Sequence, residues 1–167
     1  MAVIGPSRPI NQIGATEQLG QQQLREASDW IRKNTNENDI FASNSFFGEQ
    51  TDDRCSLSSD EIANIVTSEA VRTNYFTTAV LIKRRLIAAG VRYGFLGSTK
   101  DPSQRVELSL LFACHPDNDS LIGLRKFHVS WYLAYRNQID PSTWQGFGEV
   151  EFANQNYAVI KLDKKGK

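Results

Sequence analysis

The chain has 167 residues, with 19 basic and 19 acidic side chains and no net charge. That length suits one domain with a real core, and its ordinary apolar content argues against wholesale disorder. The balanced charge gives no electrostatic reason to expect a nucleic-acid partner, which needs a basic face to replace counterions.

Residues 1–20 are rich in Gly, Pro, Gln and Asn. They read as an N-terminal extension, with a first strand at Ala2 to Ile4 and loop after it. From Glu17 to Asn34 the pattern is helical. Leu24, Ala27 and Ile31 fall at i, i+3 and i+7, Trp30 lies beside that stripe, and Thr16 can cap the start. Asp39 to Ser45 begins apolar and ends in small polar residues, as a buried parallel strand opening into a loop does. A polar loop holding Cys55 follows. Ser58 then opens a capping box with Glu61, ahead of the stripe Ile62, Ile65, Val66.

Tyr75 to Leu81 reads as a short helix and Arg85 to Ala89 as a strand stopped by Gly90. Asp101-Pro102 starts a helix whose face is Val106, Leu110 and Ala113, and His115-Pro116 ends it. Asn118 or Asp119 caps a further helix to Phe127. Val129 to Tyr135 alternates and carries Trp, Tyr and Leu, so it is a strand. Gly148 to Phe152 and Tyr157 to Leu162 form a hairpin turned by Asn154-Gln155-Asn156. The last residues, 164–167, are a solvated tail.

Strands alternating with helices predict a single α/β domain over residues 21–163. The expected body is a mainly parallel sheet with helices on both faces, in Rossmann-like layers, and a C-terminal antiparallel β-hairpin. Ligands of such sheets sit at the C-terminal ends of the strands. That places Ser43, Asn44 and Ser45 at the mouth of any crevice.

Catalytic motifs are looked for and not found. There is no GxxxxGK[ST], no GxGxxG before a helix and no GxSxG. Cys55 and Cys114 share no CxxC spacing, and with only His115 and His128 for company they do not build a zinc site. They read either as two unrelated thiols or as one disulfide. Neighbours Cys114 and His115 point different ways on a helix and make no nucleophile–base pair. Asp52-Asp53 reads as solvated, and Asp60-Glu61 as the negative start of a helix. No metal and no cofactor is expected. Lys83-Arg84-Arg85 is the one cluster with binding chemistry, because arginine's planar fork suits phosphate or carboxylate. Arg84 and Arg85 read either as anion ligands or as structural charges, one of them paired with a carboxylate such as Asp39.

No apolar run approaches the roughly 20 residues of a membrane-spanning helix, and Met1 to Pro6 does not begin a signal peptide. On those grounds the chain, if complete, is expected to be soluble and cytoplasmic.

Four segments nevertheless resemble one family. Ala27 to Ser43, with Trp30-Ile31-Arg32 and Asn34-Thr35, is similar to a W-[IL]-R-x-N-T opening. Thr77 to Arg85 resembles an S-A-L-T-G-R-R segment, and Leu124 to Leu133 resembles L-R-K-Y-G-V-D-Y. Gly148 to Asn154 with Tyr157 to Leu162 is similar to the closing hairpin. Together, in this order, they resemble the soluble C-terminal domain of polytopic bacterial membrane proteins in the GT-C glycosyltransferase group. Proline is absent after Asn34-Thr35, Leu81-Ile82-Lys83 replaces L-T-G, and the aromatic-acidic motif of oligosaccharyltransferases is missing. The resemblance implies a non-catalytic extracytoplasmic domain. Its partner would be the transmembrane portion of its own parent chain, with a lipid-linked sugar or an anionic headgroup as ligand and Ser43, Ser45, Arg84 and Arg85 as crevice lining. Two other readings stand beside it: a stand-alone cytoplasmic protein that binds a nucleotide or small anion, and a structural interaction module.

Overall fold

The computed structural model describes residues 10–45, 60, 75–88, 101–136 and 139–163. The strand at Ala2 to Ile4, the loop with Cys55, the Ser58 capping box with its apolar stripe, and the tail lie outside them.

Helix α1 spans Ile10–Asn34. It starts earlier than the expected Glu17 and runs across the boundary drawn at residue 20. Thr16 is therefore interior, not a cap. The Gln-rich stretch supplies good helix formers, and Gly14 and Gly20 are carried at a cost of about 1 kcal/mol each. Leu24, Ala27 and Ile31 are buried at the spacing read from the sequence, with Ser28 between them donating back to Leu24 O at 2.6 Å.

Strand β1 is Ile40–Ser43, α2 is Tyr75–Ile82, and β2 is Arg85–Leu86. Helix α3, Asp101–Cys114, is followed by α4, Asn118–Lys126. The cap of α4 is Asp117, one residue before the expected Asn118 or Asp119. Its carboxylate accepts from Ser120 N–H at 2.7 Å, and Ser120 Oγ accepts from Asp117 N–H at 3.1 Å. Strand β3 is Val129–Tyr135. A single 3-10 turn, Pro141–Trp144, begins at Asp140, whose carboxylate accepts from Ser142 N–H and is held below its usual pKa by that bond. The closing hairpin is β4, Gly148–Ala153, and β5, Tyr157–Leu162.

Among the described residues five strands form one sheet in the order β2-β1-β3-β5-β4. It is mixed rather than mainly parallel. β1 is parallel to β2 and to β3, whereas β5 is antiparallel to β3 and to β4. The two register shifts are bulges, each of which carries the strand's side chains to the other face. Val129 and Trp131 thereby enter different clusters, as do Val150 and Phe152.

Two apolar clusters result. One gathers Leu24, Ala27 and Ile31 of α1 and Ile82 of α2 with Phe41, Trp131, Leu133, Tyr157 and Val159 of the sheet. The other gathers Phe112, Ala113, Leu121, Leu124 and Trp144 with Ala42, Tyr132, Ala134, Ala158 and Ile160. The alternation of Tyr132, Leu133 and Ala134 between clusters explains why β3, the central strand, is buried on both faces. At Gly148 the backbone of β5 passes so close that an added Cβ would lie 2.5 Å from Lys161 O.

Candidate functional site

In the strand order 2-1-3, the chain leaves β1 for β2 on one side and returns to β3 on the other. The crevice at such a switch point, between the C-terminal ends of β1 and β3, is where α/β sheets usually take ligands. Ser43, Asn44 and Ser45 stand at that end of β1. What they do with their polar atoms decides what the site can do.

Asn44 bridges the ends of β1 and β3. Its Nδ2 donates to Tyr135 O at 3.0 Å, and Tyr135 N–H donates to its Oδ1 at 2.7 Å. The side-chain amide thus continues the β1–β3 ladder by one rung after the backbone has diverged. Ser43, buried, donates from Oγ to Leu133 O at 2.7 Å and accepts from Ser45 N–H at 3.0 Å. Ser45 Oγ lies 2.8 Å from Ser43 Oγ and 3.1 Å from Thr78 Oγ1. This hydroxyl chain ties the end of β1 to α2, in which Thr78 is also buried. All three candidates are brought together, and their hydrogen bonds run to one another, to strand backbone and to Thr78.

Arg84 and Arg85 lie at the opposite end of the sheet, because β2 starts level with the start of β1 through the Ile40–Arg85 register. The five candidates therefore do not line one crevice. Arg84 is a cap for α1. Its Nε donates to Thr35 Oγ1 at 3.0 Å, and its Nη2 donates to Thr35 O at 2.9 Å and Arg32 O at 3.1 Å. The last carbonyls of a helix lack intrahelical partners and carry partial negative charge, so a guanidinium satisfies them on both counts. Arg32 returns the favour, donating to Leu81 O in the last turn of α2 while it pairs with Asp29. Arg85 is exposed. Asp39, weighed as an arginine partner, instead accepts from Trp131 Nε1 at 2.9 Å and from Asn36 N–H at 2.8 Å.

Sequence reading missed Arg136, just past β3. Its Nη1 donates to Asn154 O at 2.9 Å, and Asn154 Nδ2 donates to Gln23 O at 2.9 Å, so the hairpin turn is sewn to both β3 and α1. No periodicity or motif marks that residue. Cys114 is disulfide-bonded, and Cys55 lies outside the described residues. His128 is exposed in a left-handed backbone conformation, φ 59°, just before β3. It is a turn residue. Tyr132 is fully buried and donates from its hydroxyl to Ser109 O at 2.5 Å; burial pushes its pKa well above 10.0. Among the described residues no group of three or more His, Cys, Asp or Glu side chains is placed to hold a metal ion, and no helix is long and apolar enough to cross a membrane.

Comparisons with protein-family models, with curated proteins and with solved structures find no match to this chain.

Proposed function

We propose that the chain is a non-catalytic accessory domain of a membrane glycosyltransferase-like protein, held on the extracytoplasmic face beside the transmembrane portion of its parent chain. The observation that carries this reading is the pair of arginine caps. The segments that resemble the GT-C family's W-[IL]-R-x-N-T and R-R motifs lie about fifty residues apart. They meet through Arg84 on Thr35 and Arg32 on Leu81. The motif residues thus have a shared physical task, which is to lock α1 and α2 together. A disulfide at Cys114 fits an oxidising compartment. The serines and the asparagine at the strand ends hold backbone, which suits support of an assembly better than chemistry. The 2-1-3 strand order, with an apolar cluster on each face, also supports classing the body as Rossmann-like layers.

The test is expression of the natural gene with all of its coding sequence, followed by fractionation and labelling of intact cells with a membrane-impermeant reagent. This reading expects the domain in the membrane fraction and labelled from outside. Recovery in the cytosol with a nucleotide-dependent rise in melting temperature would establish the stand-alone reading in its place.

A further inference from the structure

Zero net charge conceals a separation of charge along the strand axis. The register sets the first residues of three strands side by side, Ile40 against Arg85 and Val129. The last turn of α1, with Arg32 and Lys33, leads into β1 within a few residues. That of α4, with Arg125 and Lys126, leads into β3 in the same way. Lys83 and Arg84 precede β2 directly. Of these cations Lys33, Lys83, Arg85 and Lys126 are exposed, and so is His128. Among the described residues the acids near these strand starts are few. Asp29 pairs with Arg32, Asp39 turns inward to Trp131, and Glu37 is exposed. Glu149 and Asp163 lie with Lys161 toward the β5–β4 side. At the other end stand Asp117, Asp119 and Asp140, with the half-buried Arg136.

Cations gather at helix C-termini to complement the macrodipole, and that explains part of the pattern. It does not explain all of it. Lys83, whose N–H donates to Ala79 O, sits at the end of α2, but Arg84 already satisfies the end of α1, which leaves Lys33 unneeded there, and Arg85 belongs to no helix end. The surface also lacks what other partners need. Insertion into a bilayer calls for apolar side chains, and a protein partner calls for a desolvated aromatic or aliphatic anchor. Among the described residues the only exposed large hydrophobics are Val80 and Ile122, each in mid-helix.

We propose that this end of the domain is a docking surface for a soluble phosphate-bearing polyanion, contacted by Lys33, Lys83, Arg85 and Lys126. The inference is independent of the membrane tether proposed above. The probe is labelled inorganic polyphosphate, titrated with the 167-residue chain and followed by fluorescence anisotropy between about 50 and 200 mM salt. Four phosphate contacts at roughly 0.7–0.9 each set the expected log-log salt slope near −3. Combining Lys33→Glu, Lys83→Glu, Arg85→Glu and Lys126→Glu abolishes binding while the chain still melts in one cooperative transition, since all four side chains are exposed; the midpoint falls because Lys33 and Lys126 sit in the last turns of α1 and α4. Arg25→Glu, on the exposed side of α1 two turns away, changes affinity by less than about twofold, because it removes none of the four contacts. Absence of binding at the lowest salt, a flat salt dependence, equal losses in Arg25→Glu, or binding to anionic vesicles without binding to polyphosphate would each overturn the proposal.

Discussion

Arg84→Ala separates the two roles an arginine can have here. As a cap, the guanidinium makes three contacts of 3.1 Å or less to Thr35 and Arg32 of the neighbouring helix end. A hydrogen bond involving a charged group contributes about 1.5–3 kcal/mol when buried, so the sum is an upper bound of several kcal/mol. Arg84 is only half-buried, and water takes over part of what it leaves. Allowing about 0.3–1 kcal/mol for the lost helix-end charge interaction, we expect a net loss of about 2–3 kcal/mol. At roughly 2–4 °C per kcal/mol for a chain of this size, the melting temperature falls by about 8 °C. Urea titration monitored by circular dichroism gives the free energy directly. Arg84→Lys keeps the charge without the planar fork and should recover less than half of the loss. The reasoning fails if Arg84→Ala is within about 0.5 kcal/mol of wild type, or if Arg84→Lys is indistinguishable from it. A ligand-binding Arg84 would give that result, with a deficit visible only when the ligand is present.

Other expectations follow from the same contacts. Asn44→Ala leaves the Tyr135 N–H and C=O without their rung and costs about 1–3 kcal/mol; hydrogen exchange at the Tyr135 amide should accelerate, whereas a purely solvent-facing Asn44 would leave it unchanged. Trp144→Ala empties a fully buried site beside Phe112 and Phe147 and costs about 3–5 kcal/mol by chemical denaturation. Tyr132 has a folded pKa raised above 10.0 by burial. Its stabilising effect is full below pH 10 and is lost as pH rises from there toward the folded value, because the unfolded chain releases the proton first. Tyr132→Phe should flatten that alkaline decline and, at neutral pH, cost about 1 kcal/mol for the bond to Ser109. Cys114→Ser removes the disulfide and should lower stability by about 2–4 kcal/mol; an identical melting curve with and without reductant would contradict that.

Local elements were legible because they depend on neighbours in sequence. The i, i+3, i+7 stripe of Leu24, Ala27 and Ile31, the alternation of β3 and the Asn154–Asn156 turn all follow from periods of 3.6 and 2 and from turn chemistry. The starts of α1 and α4 were misplaced, the first by seven residues and the second by one. Gln-rich sequence is helical without an apolar stripe, and three adjacent residues, Asp117, Asn118 and Asp119, all make good caps.

The use of each polar side chain was another matter, since that is settled by what folding brings beside it. Asn44 reads as a ligand group until Tyr135, ninety-one residues on, presents a backbone pair at the right spacing. Arg84 reads as an anion binder until the end of α1 arrives with unpaired carbonyls. Charge behaved the same way. Composition carried only the sum, which is zero, whereas strand register and helix direction decided that Lys33, Lys83, Arg85 and Lys126 share one end. A charge count is blind to position, and position along the strand axis exists only after the sheet has formed.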